Sequence, residues 1–385
     1  MRLLLLLSLL LCPLAVGAEA TLTFWCHRGV AALKASAERY QRLTGIRVII
    51  ESPVNASVNF EIKTAAGAGP DLFCWGHDRL GDWAEAGLLA PIGKAAALEK
   101  LGILSWSLPA VTVNGQLYGY PLFAESLGLI VNPSLLVKPP TDFNQLPQLA
   151  KKLPAGVTPF GWPWANTYFS WPLLSTAGGY VFGLDPARGW ARHDVGLDHP
   201  AVAEAAGWWL AQQQAGILPP AVDAGRIREL YGQGQLAMML DGPWAWRELD
   251  RLQQPWQLVA WPAFNGRPVR PFVGVFVAVV NAFSPRQDLA HDFLRHHLLT
   301  APELTAWAAS NELGILAQRE AAGLQQTDAR MALLLASVEQ GVVMPNIPAM
   351  NRFWAVMATT LDNLAHGRQQ PVAALVAAAA RLRAQ

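Results

Sequence analysis

Charged residues are scarce in this chain, and the two signs nearly cancel. They make up 15% of the 385 residues, and the formal net charge is +1. This composition excludes an intrinsically disordered or charge-driven scaffold as the main body. It also offers no basic surface for a nucleic-acid backbone. Because apolar residues reach 52% and the length suffices for two or three domains, we expect at least two folded lobes and no nucleic-acid partner.

Cysteine is also rare, with three residues in the whole chain. Neither these nor the eight histidines follow a ligand spacing such as C-x-x-C, so no metal site is predicted. Cys26 and Cys74 could pair in an oxidising compartment. Each lies in an apolar strand-like run, however, where a buried free thiol is common. We favour two packed thiols, with a disulfide as the alternative.

Long apolar runs are missing except at the N-terminus. Residues 1–20, MRLLLLLSLLLCPLAVGAEA, carry a positive charge at Arg2, a leucine-rich run, and an A-x-A arrangement at Ala18 and Ala20. This pattern predicts a secretory signal peptide that is cleaved near Ala18 or Ala20. Cys12 raises the alternative of a lipid anchor, which we disfavour because leucines precede it and a proline follows. We therefore expect an exported protein.

Short apolar runs alternate with helical patterns after this leader. TLTFWC, IRVIIES and DLFCW predict strands separated by helices, as is typical of a mostly parallel α/β sheet. PFVGVFVAVV predicts a further strand, and Ser284, Pro285 and Gln287 after it predict a helix that starts with a capping box. The composition changes across residues 122–140, which we interpret as a passage between lobes. The C-terminal region is helical by its apolar spacing.

Tryptophan is the residue type in excess, with 16 tryptophans against six tyrosines. Its flat apolar face suits both a protein core and a ligand with a flat, partly apolar side. Several clusters place an aromatic residue beside polar residues where a strand or loop ends. They include Tyr168 in NTYFSW, Trp244 in DGPWAW and Trp354 in NRFW. A single ring is more often part of a core, but several such clusters favour a groove lined by aromatic rings.

The segment WGHDR places different chemical groups together at a strand end. A parallel strand that ends at Trp75 delivers Gly76, Asp78 and Arg79 to the carboxyl edge of the sheet, where open α/β sheets bind ligands. Carboxylate and guanidinium groups bond adjacent pairs of hydroxyls, as in a sugar, and the indole can stack on the sugar ring. A surface ion pair beside a core tryptophan is an equally good interpretation of this segment alone.

Motifs of catalysis are absent from the sequence. It contains no G-x-S-x-G, P-loop or G-x-G-x-x-G, so no nucleophile or cofactor site is predicted and no cofactor is expected. Asp78 and Glu125 could serve a glycosidase if their carboxyl groups lay about 5–10 Å apart, but sequence separation does not give distance. Glu125 is otherwise a structural acceptor or a ligand contact. We predict a protein that is not an enzyme, with a glycoside hydrolase as the alternative.

Several segments occur in a fixed order along the chain. They are GPDLFCWGHDRLGDWAEAGLLAPI, YGYPLFAESLGLIVNPSLL, TYFSWPLLSTAGGYVF, AMMLDGPWAWRELD, PFVGVFVAVVNAFSPRQDLAHDFLRHHLLT and MPNIPAMNRFW, followed by GRQQP. Over essentially the whole chain after the leader, this series resembles the periplasmic maltose/maltodextrin-binding proteins of ABC importers. The resemblance implies an α/β, two-lobed periplasmic binding protein fold with a hinge and a central ligand cleft.

The resemblance also implies a domain organisation and a function. We expect the first lobe at 21–122 and 272–324, the second lobe at 128–271 and 325–385, and part of the hinge at 123–127. The lobes would close over maltose, a maltodextrin or a related α-glucoside and deliver it to ABC permease subunits in the inner membrane. We expect a periplasmic monomer. A receptor of the same fold for a non-sugar solute is a second alternative.

Some polar contacts of the family are missing from this chain. The family's Asn-Gly-Asp-Lys-like turn is shortened to CHRG, which leaves His27 and Arg28 as candidate substitutes. Asn166 stands where the family has a glutamate. VNASVN stands where the family has an acidic pair, and Ala358 stands where it has an arginine. Because a buried polar group without a partner costs about 1–3 kcal/mol, these losses leave the preferred sugar and its chain length open.

The retained contacts lie on both lobes. The resemblance assigns Asp78 and Arg79 to the first lobe, and we expect this pair to carry more of the sugar recognition than in a typical relative. Glu125 matches a carboxylate near the hinge that bonds sugar hydroxyls. The predicted ligand-binding residues are His27, Arg28, Trp75, Gly76, Asp78, Arg79, Glu125, Asn166, Tyr168, Trp244 and Trp354.

Overall fold

A computed structural model describes residues 20–176, 178–185, 189–310, 313–325 and 328–384. The predicted signal peptide lies outside the described residues except for its last position. No helix in the described part of the chain has the length and apolar character needed to cross a membrane.

The described chain alternates strands and helices. The strands are β1 Thr21–Trp25, β2 Arg47–Glu51, β3 Leu72–Gly76, β4 Thr112–Val113, β5 Gln116–Leu117, β6 Tyr120–Ser126, β7 Gly128–Val131, β8 Gly183–Asp185, β9 Gly189–Ala191, β10 Met238–Asp241, β11 Gln257–Val259, β12 Phe272–Val280, β13 Ile315–Leu316 and β14 Val342–Val343. The helices are α1 Val30–Thr44, α2 Ala56–Ala65, α3 Leu80–Glu85, α4 Ala95–Lys100, α5 Leu108–Val111, α6 Leu146–Ala150, α7 Thr167–Ser175, α8 Pro200–Gln214, α9 Ala224–Gly232, α10 Pro243–Leu249, α11 Gln287–Phe293, α12 Ala301–Ala308, α13 Arg319–Gln325, α14 Ala329–Gln340, α15 Ala349–Ala365 and α16 Pro371–Arg383. Short 3₁₀ segments occupy His77–Arg79, Ser105–Ser107 and Phe143–Gln145, and Leu294–Leu298 is a π-helical segment.

A mixed sheet forms the centre of the part that we call the first lobe. Its strand order is β13-β6-β12-β3-β1-β2, with β14 also paired to β12. Strand β1 runs parallel to β2 and β3, as expected, but β12 runs antiparallel to β3 and β6. The prediction of a mostly parallel sheet is therefore wrong beyond its first three strands. All of β12 is buried, and a strand that is apolar on both faces buries most surface at the centre of a sheet.

A smaller antiparallel sheet, β10-β7-β11, lies in the part that we call the second lobe. Both β7 and β10 are buried along their whole length. The core of this lobe contains the large rings of Trp162, Trp171 and Trp209 together with apolar residues of α15 and α16. Much of the tryptophan excess therefore serves packing, and the predicted α/β architecture is confirmed.

The chain passes between the two sheets where β6 ends and β7 begins. Leu127 alone separates β6 from β7, and β12 follows β11 back into the first sheet. Glu125 lies inside β6 and pairs with Gly274 of β12. Ala124 and Ile130 belong to a core cluster where the two sheets meet. The lobe boundaries given above stay a prediction.

Cys26 and Cys74 form a disulfide, with their Cα atoms 5.1 Å apart. The prediction of two packed thiols is therefore wrong. The physical reason is the register of two parallel neighbours, because Trp25 of β1 pairs with Phe73 of β3. The next residue on each strand then lies beside the other, within the usual range for a disulfide.

Helix α11 begins at Gln287 rather than just after Ser284. The hydroxyl of Ser284 donates to the buried carboxylate of Asp71 at 2.5 Å and accepts from the backbone N–H of Arg286 at 3.0 Å. The side-chain amide of Gln287 donates to the carbonyl of Ala282. The predicted capping box is therefore wrong, because these bonds close a turn before the helix starts.

Candidate ligand cleft

A cleft with a volume of about 720 Å³ is lined by residues of both lobes. This volume lies within the range of small-molecule sites in proteins. Every predicted ligand-binding residue lines it: His27, Arg28, Trp75, Gly76, Asp78, Arg79, Glu125, Asn166, Tyr168, Trp244 and Trp354. Ser57, which lies in VNASVN, and Ala358 also line it, so positions where the family has other residues face the same space.

The first-lobe wall of the cleft is built where β1 and β3 end. His27 follows β1, and its ring centre lies 4.9 Å from that of Trp75 and 5.4 Å from that of Phe276. Burial, with a smaller effect of Arg28, lowers the pKa of His27 to about 4. The imidazole is therefore neutral at physiological pH. A Cβ on Gly76 would lie 2.7 Å from Oδ1 of Asp78, so a larger residue here would displace that carboxylate.

Arg28 joins both lobes at the centre of the cleft. Its Nη2 lies 3.1 Å from each carboxylate oxygen of Glu125. The guanidinium carbon lies 5.4 Å from the ring centre of Trp244 and 5.3 Å from that of Phe276, within the range of cation–π attraction. Two residues that were predicted independently as ligand contacts, Arg28 and Glu125, therefore form an ion pair.

Asp78 is bonded to the second lobe. Its carboxylate accepts a hydrogen bond from the indole N–H of Trp354 at 2.9 Å. Burial raises the pKa of Asp78 to about 6, although this bond and the charge of Arg79 both act to lower it. The indole therefore supplies a donor where the low-polarity surroundings disfavour a carboxylate.

Arg79 has partners of its own on both lobes. Its Nη2 lies 3.1 Å from Oε1 of Glu61, and its Nη1 donates to the side-chain oxygen of Asn351. The amide of Asn351 in turn donates to Asp82. Among the described residues, no ion pair joins Arg79 to Asp78, so the alternative of a mutual surface ion pair is wrong.

Half-buried rings form the second-lobe wall of the cleft. Tyr168 is carried by α7, Trp244 by α10 and Trp354 by α15. Tyr168 lies 6.0 Å from Trp244, and Tyr168 and Trp354 lie 6.1 Å and 5.6 Å from Phe272, measured between ring centres. The hydroxyl of Tyr168 is buried and has no hydrogen-bond partner among the described residues. Burial raises its pKa well above the usual range, so it stays a neutral donor.

Two local features fix these rings. A Cβ on Gly242 would lie 2.2 Å from the ring of Trp244, so only glycine lets the indole fold back over the turn before α10. Asn166 is the N-cap of α7, and its side-chain oxygen accepts from the backbone N–H groups of Tyr168 at 3.0 Å and Phe169 at 3.4 Å. Its oxygen is therefore engaged in starting the helix that presents Tyr168.

Sequence reasoning missed residues that support the cleft from behind. His77 is fully buried, and its Nδ1 accepts from the N–H of Val275 at 2.9 Å while its Nε2 lies 2.8 Å from the carbonyl of Met344. Burial lowers its pKa to about 4, so the imidazole is neutral. It connects the end of β3 to Val275 on β12 and to Met344, which follows β14. Phe276 was also missed, because a uniformly apolar strand carries no signal that singles out one ring.

The chain is similar to several known proteins. The bacterial extracellular solute-binding protein family matches residues 27–313, more than half of the chain. The maltodextrin-binding protein of Bacillus subtilis strain 168 is 27% identical over 79% of this chain and 74% of its own length. The maltotriose-binding protein of Pyrococcus abyssi is 25% identical, over 85% and 73%. The galactooligosaccharide-binding protein of Bacillus subtilis is 22% identical, over 92% and 86%.

These matches decide several predictions. The two-lobed solute-binding protein fold and the resemblance to this group of proteins are confirmed. The prediction that the chain is not an enzyme is also confirmed, because the family and these relatives are solute-binding proteins. The ligand contacts of individual residues stay a prediction. The chain belongs to the bacterial extracellular solute-binding protein family.

Proposed function

We propose that this protein is the solute-binding receptor of an ABC importer and that it captures maltose, a maltodextrin or a related α-glucoside. The observation that carries the proposal is one cleft that combines half-buried rings with charged and hydroxyl groups from both lobes. A sugar presents an apolar C–H face to the rings and hydroxyls to the polar groups. Relatives named for maltodextrin and maltotriose support this class of ligand.

Polar groups on both walls of the cleft would bind sugar hydroxyls. Glu125 keeps further acceptor capacity beside Arg28, since a carboxylate can accept about four hydrogen bonds. The buried hydroxyl of Tyr168 lacks a partner among the described residues, and a sugar hydroxyl would satisfy it. The rings of Trp75, Trp244 and Trp354 would supply the apolar contact.

Binding from both lobes would favour the closed form. A ligand that contacts both walls has a higher affinity for the conformation that brings them together, and it shifts the population accordingly. The Asp78–Trp354 and Arg28–Trp244 contacts also join the two walls. We therefore expect contacts within the protein and contacts to the ligand to act together in closure.

The disulfide and the leader pattern support a periplasmic receptor. Disulfides such as Cys26–Cys74 persist in oxidising compartments, and the leader pattern at residues 1–20 directs export. We propose a monomer that releases its sugar to the permease subunits in the inner membrane.

A titration series tests the ligand. The chain from residue 21 onward is titrated with maltose, maltotriose, trehalose and a galactooligosaccharide, and intrinsic tryptophan fluorescence and heat are recorded. We expect saturable binding of at least one α-glucoside with a change in fluorescence as the rings are covered. The absence of both signals with every saccharide would refute the saccharide assignment. Mass spectrometry of co-purified ligand then tests the alternative of a non-sugar solute.

A second assay checks that the protein leaves its sugar intact. Maltotriose is incubated with the protein, and newly formed reducing ends are measured over hours. A receptor returns its ligand unchanged, so the number of reducing ends should stay at that of a protein-free control. An increase that scales with protein concentration would contradict the assignment as a receptor.

A further inference from the structure

The Cys26–Cys74 disulfide lies at the sheet edge that forms the first-lobe wall of the cleft. Cys26 directly precedes His27 and Arg28, and Cys74 directly precedes Trp75. The disulfide thus joins the two chain segments that carry this wall immediately before they enter it.

Backbone pairing between β1 and β3 ends just before the disulfide. Among the described residues, their ladder contains only the Phe24–Leu72 and Trp25–Phe73 pairs. At the next position the covalent bond takes the place of a further pair. Beyond it, the ring centres of His27 and Trp75 lie 4.9 Å apart. This contact between side chains is weaker than a covalent bond or a backbone hydrogen bond. Among the described residues, the disulfide is therefore the last covalent or backbone connection between the two segments.

The positions of the Arg28 and Asp78 side chains depend on where these two segments end. Arg28 reaches Glu125 at 3.1 Å and lies over the ring of Trp244 at 5.4 Å, both on other elements. Asp78 reaches Trp354 on the second lobe at 2.9 Å. A site that is held in its binding geometry loses less conformational entropy when the ligand binds. If the two segments were loosely connected, the ligand would have to order them when it binds.

The usual explanation of a disulfide, stabilisation of a small core, fits poorly here. A domain of this size has a sufficient apolar core and does not need a covalent staple. The bond also lies inside such a core, with Cys26 2% exposed and Cys74 fully buried. Its location next to the cleft, rather than at an exposed loop or a terminus, favours a function in the site.

We propose that the Cys26–Cys74 disulfide positions the first-lobe wall for ligand binding, by fixing the segment at 27–28 relative to the segment at 75–79. The proposal rests on the proposed saccharide-binding function. Removal of the bond should weaken saccharide binding and increase motion of these two segments specifically, beyond any general loss of stability.

The test compares the oxidised chain from residue 21 onward with the C26A/C74A variant. Calorimetry with maltotriose gives the Kd, hydrogen exchange read by mass spectrometry reports the backbone of the ligand-free protein, and thermal unfolding gives the Tm. The matched control is Leu98→Ala, which opens a cavity in the same core on α4. The variant C26A/C74V keeps more apolar volume and replaces the double alanine if that protein does not fold.

We expect C26A/C74A to bind maltotriose at least tenfold more weakly and to exchange faster at 27–31 and 75–80. Leu98→Ala should lower the Tm with an unchanged Kd and unchanged exchange in those segments. A lowered Tm in C26A/C74A with a Kd within twofold of the wild type and unchanged local exchange would overturn the proposal. If the oxidised wild type binds no saccharide, the proposed function fails, and the exchange measurement still decides whether the disulfide positions the segments.

Discussion

The two walls of the cleft use different chemistry and meet different requirements. The first-lobe wall carries the charged groups of Arg28, Asp78 and Arg79, each bonded to another part of the protein. The second-lobe wall carries the half-buried rings of Tyr168 and Trp244, which offer mainly contact area, and the Tyr168 hydroxyl, which has no partner among the described residues. A partly buried charge without a partner destabilises the folded protein, whereas an apolar ring face needs no hydrogen-bond partner. We infer that the rings would supply most of the affinity and that the charged wall would supply selectivity and link the lobes.

The largest expected effect comes from Trp354, which serves both walls. Trp354→Ala removes a ring from the cleft and the donor to Asp78, and we expect it to weaken maltotriose binding by about 3 kcal/mol, within the range of buried aromatic hot spots. Trp354→Phe keeps a ring and loses the N–H, so it should cost about 1 kcal/mol. Calorimetric titration of both variants separates the two contributions. Equal losses in the two variants would contradict a dominant role of the ring.

Local patterns and the family resemblance together predicted many of the residues that line the cleft. Parallel strand ends meet at one edge of a sheet, so Trp75 and Arg79 could be placed beside a ligand from the sequence. The partners of these groups could not be predicted. Asp78 and Trp354 are 276 positions apart, and nothing in a polar segment indicates which distant donor will reach it. The expectation that Asp78 and Arg79 act as a sugar-binding pair must now include the separate protein partners of each residue.

Other features depended on tertiary neighbours. The disulfide requires that β1 and β3 be adjacent and in register, which the separate strand patterns do not reveal. Ser284 carried a strong local signal for a helix cap, yet its hydroxyl bonds the buried carboxylate of Asp71 instead. Long-range bonds of this kind outweigh local preferences, because a hydrogen bond to a carboxylate is stronger than the bond between neutral groups at a serine cap.

Breaking the central ion pair tests how much the charged wall contributes to stability. Arg28→Met keeps most of the side-chain stem and leaves Glu125 without its cationic partner, so we expect the free energy of unfolding to fall by about 2 kcal/mol. The control is Arg226→Met, which breaks the Arg226–Glu229 pair, whose side chains are 45% and 52% exposed. That loss should not exceed about 0.5 kcal/mol. Urea unfolding compares the two, and similar losses would show that the cleft pair behaves like a surface pair.

The titrating groups of the first-lobe wall act in opposite directions. His27 and His77 have pKa values of about 4 in the folded protein, below the ordinary value, so the stability they contribute is lost as pH falls from about 6.5 to about 4. Asp78, whose pKa is raised to about 6, has the opposite effect. Its ionisation is unfavourable in the folded state, so its contribution to stability improves as pH falls through the same range.

Asp78→Asn should therefore make the protein more sensitive to acid. The variant keeps an acceptor for Trp354 but removes the compensating titration, so the loss of unfolding free energy between pH 6 and pH 4 should steepen by about 1 kcal/mol per pH unit. Urea unfolding at several pH values measures this slope. His27→Gln is the opposing control and should make the profile flatter. Parallel profiles for Asp78→Asn and the wild type would contradict the assigned pKa.

The smallest effect is expected at Asn166, the polar residue of the second-lobe wall. Its oxygen caps α7 through the N–H groups of Tyr168 and Phe169, so Asn166→Ala should lower the free energy of unfolding by about 1 kcal/mol. Asn166→Asp keeps a capping oxygen and should preserve stability. It also restores an acidic group in place of the glutamate of the family. If Asn166 acts mainly as a cap, Asn166→Asp will bind maltotriose like the wild type. A gain in affinity at unchanged stability would show that this position also contacts the sugar and that the second-lobe wall has lost a polar contact.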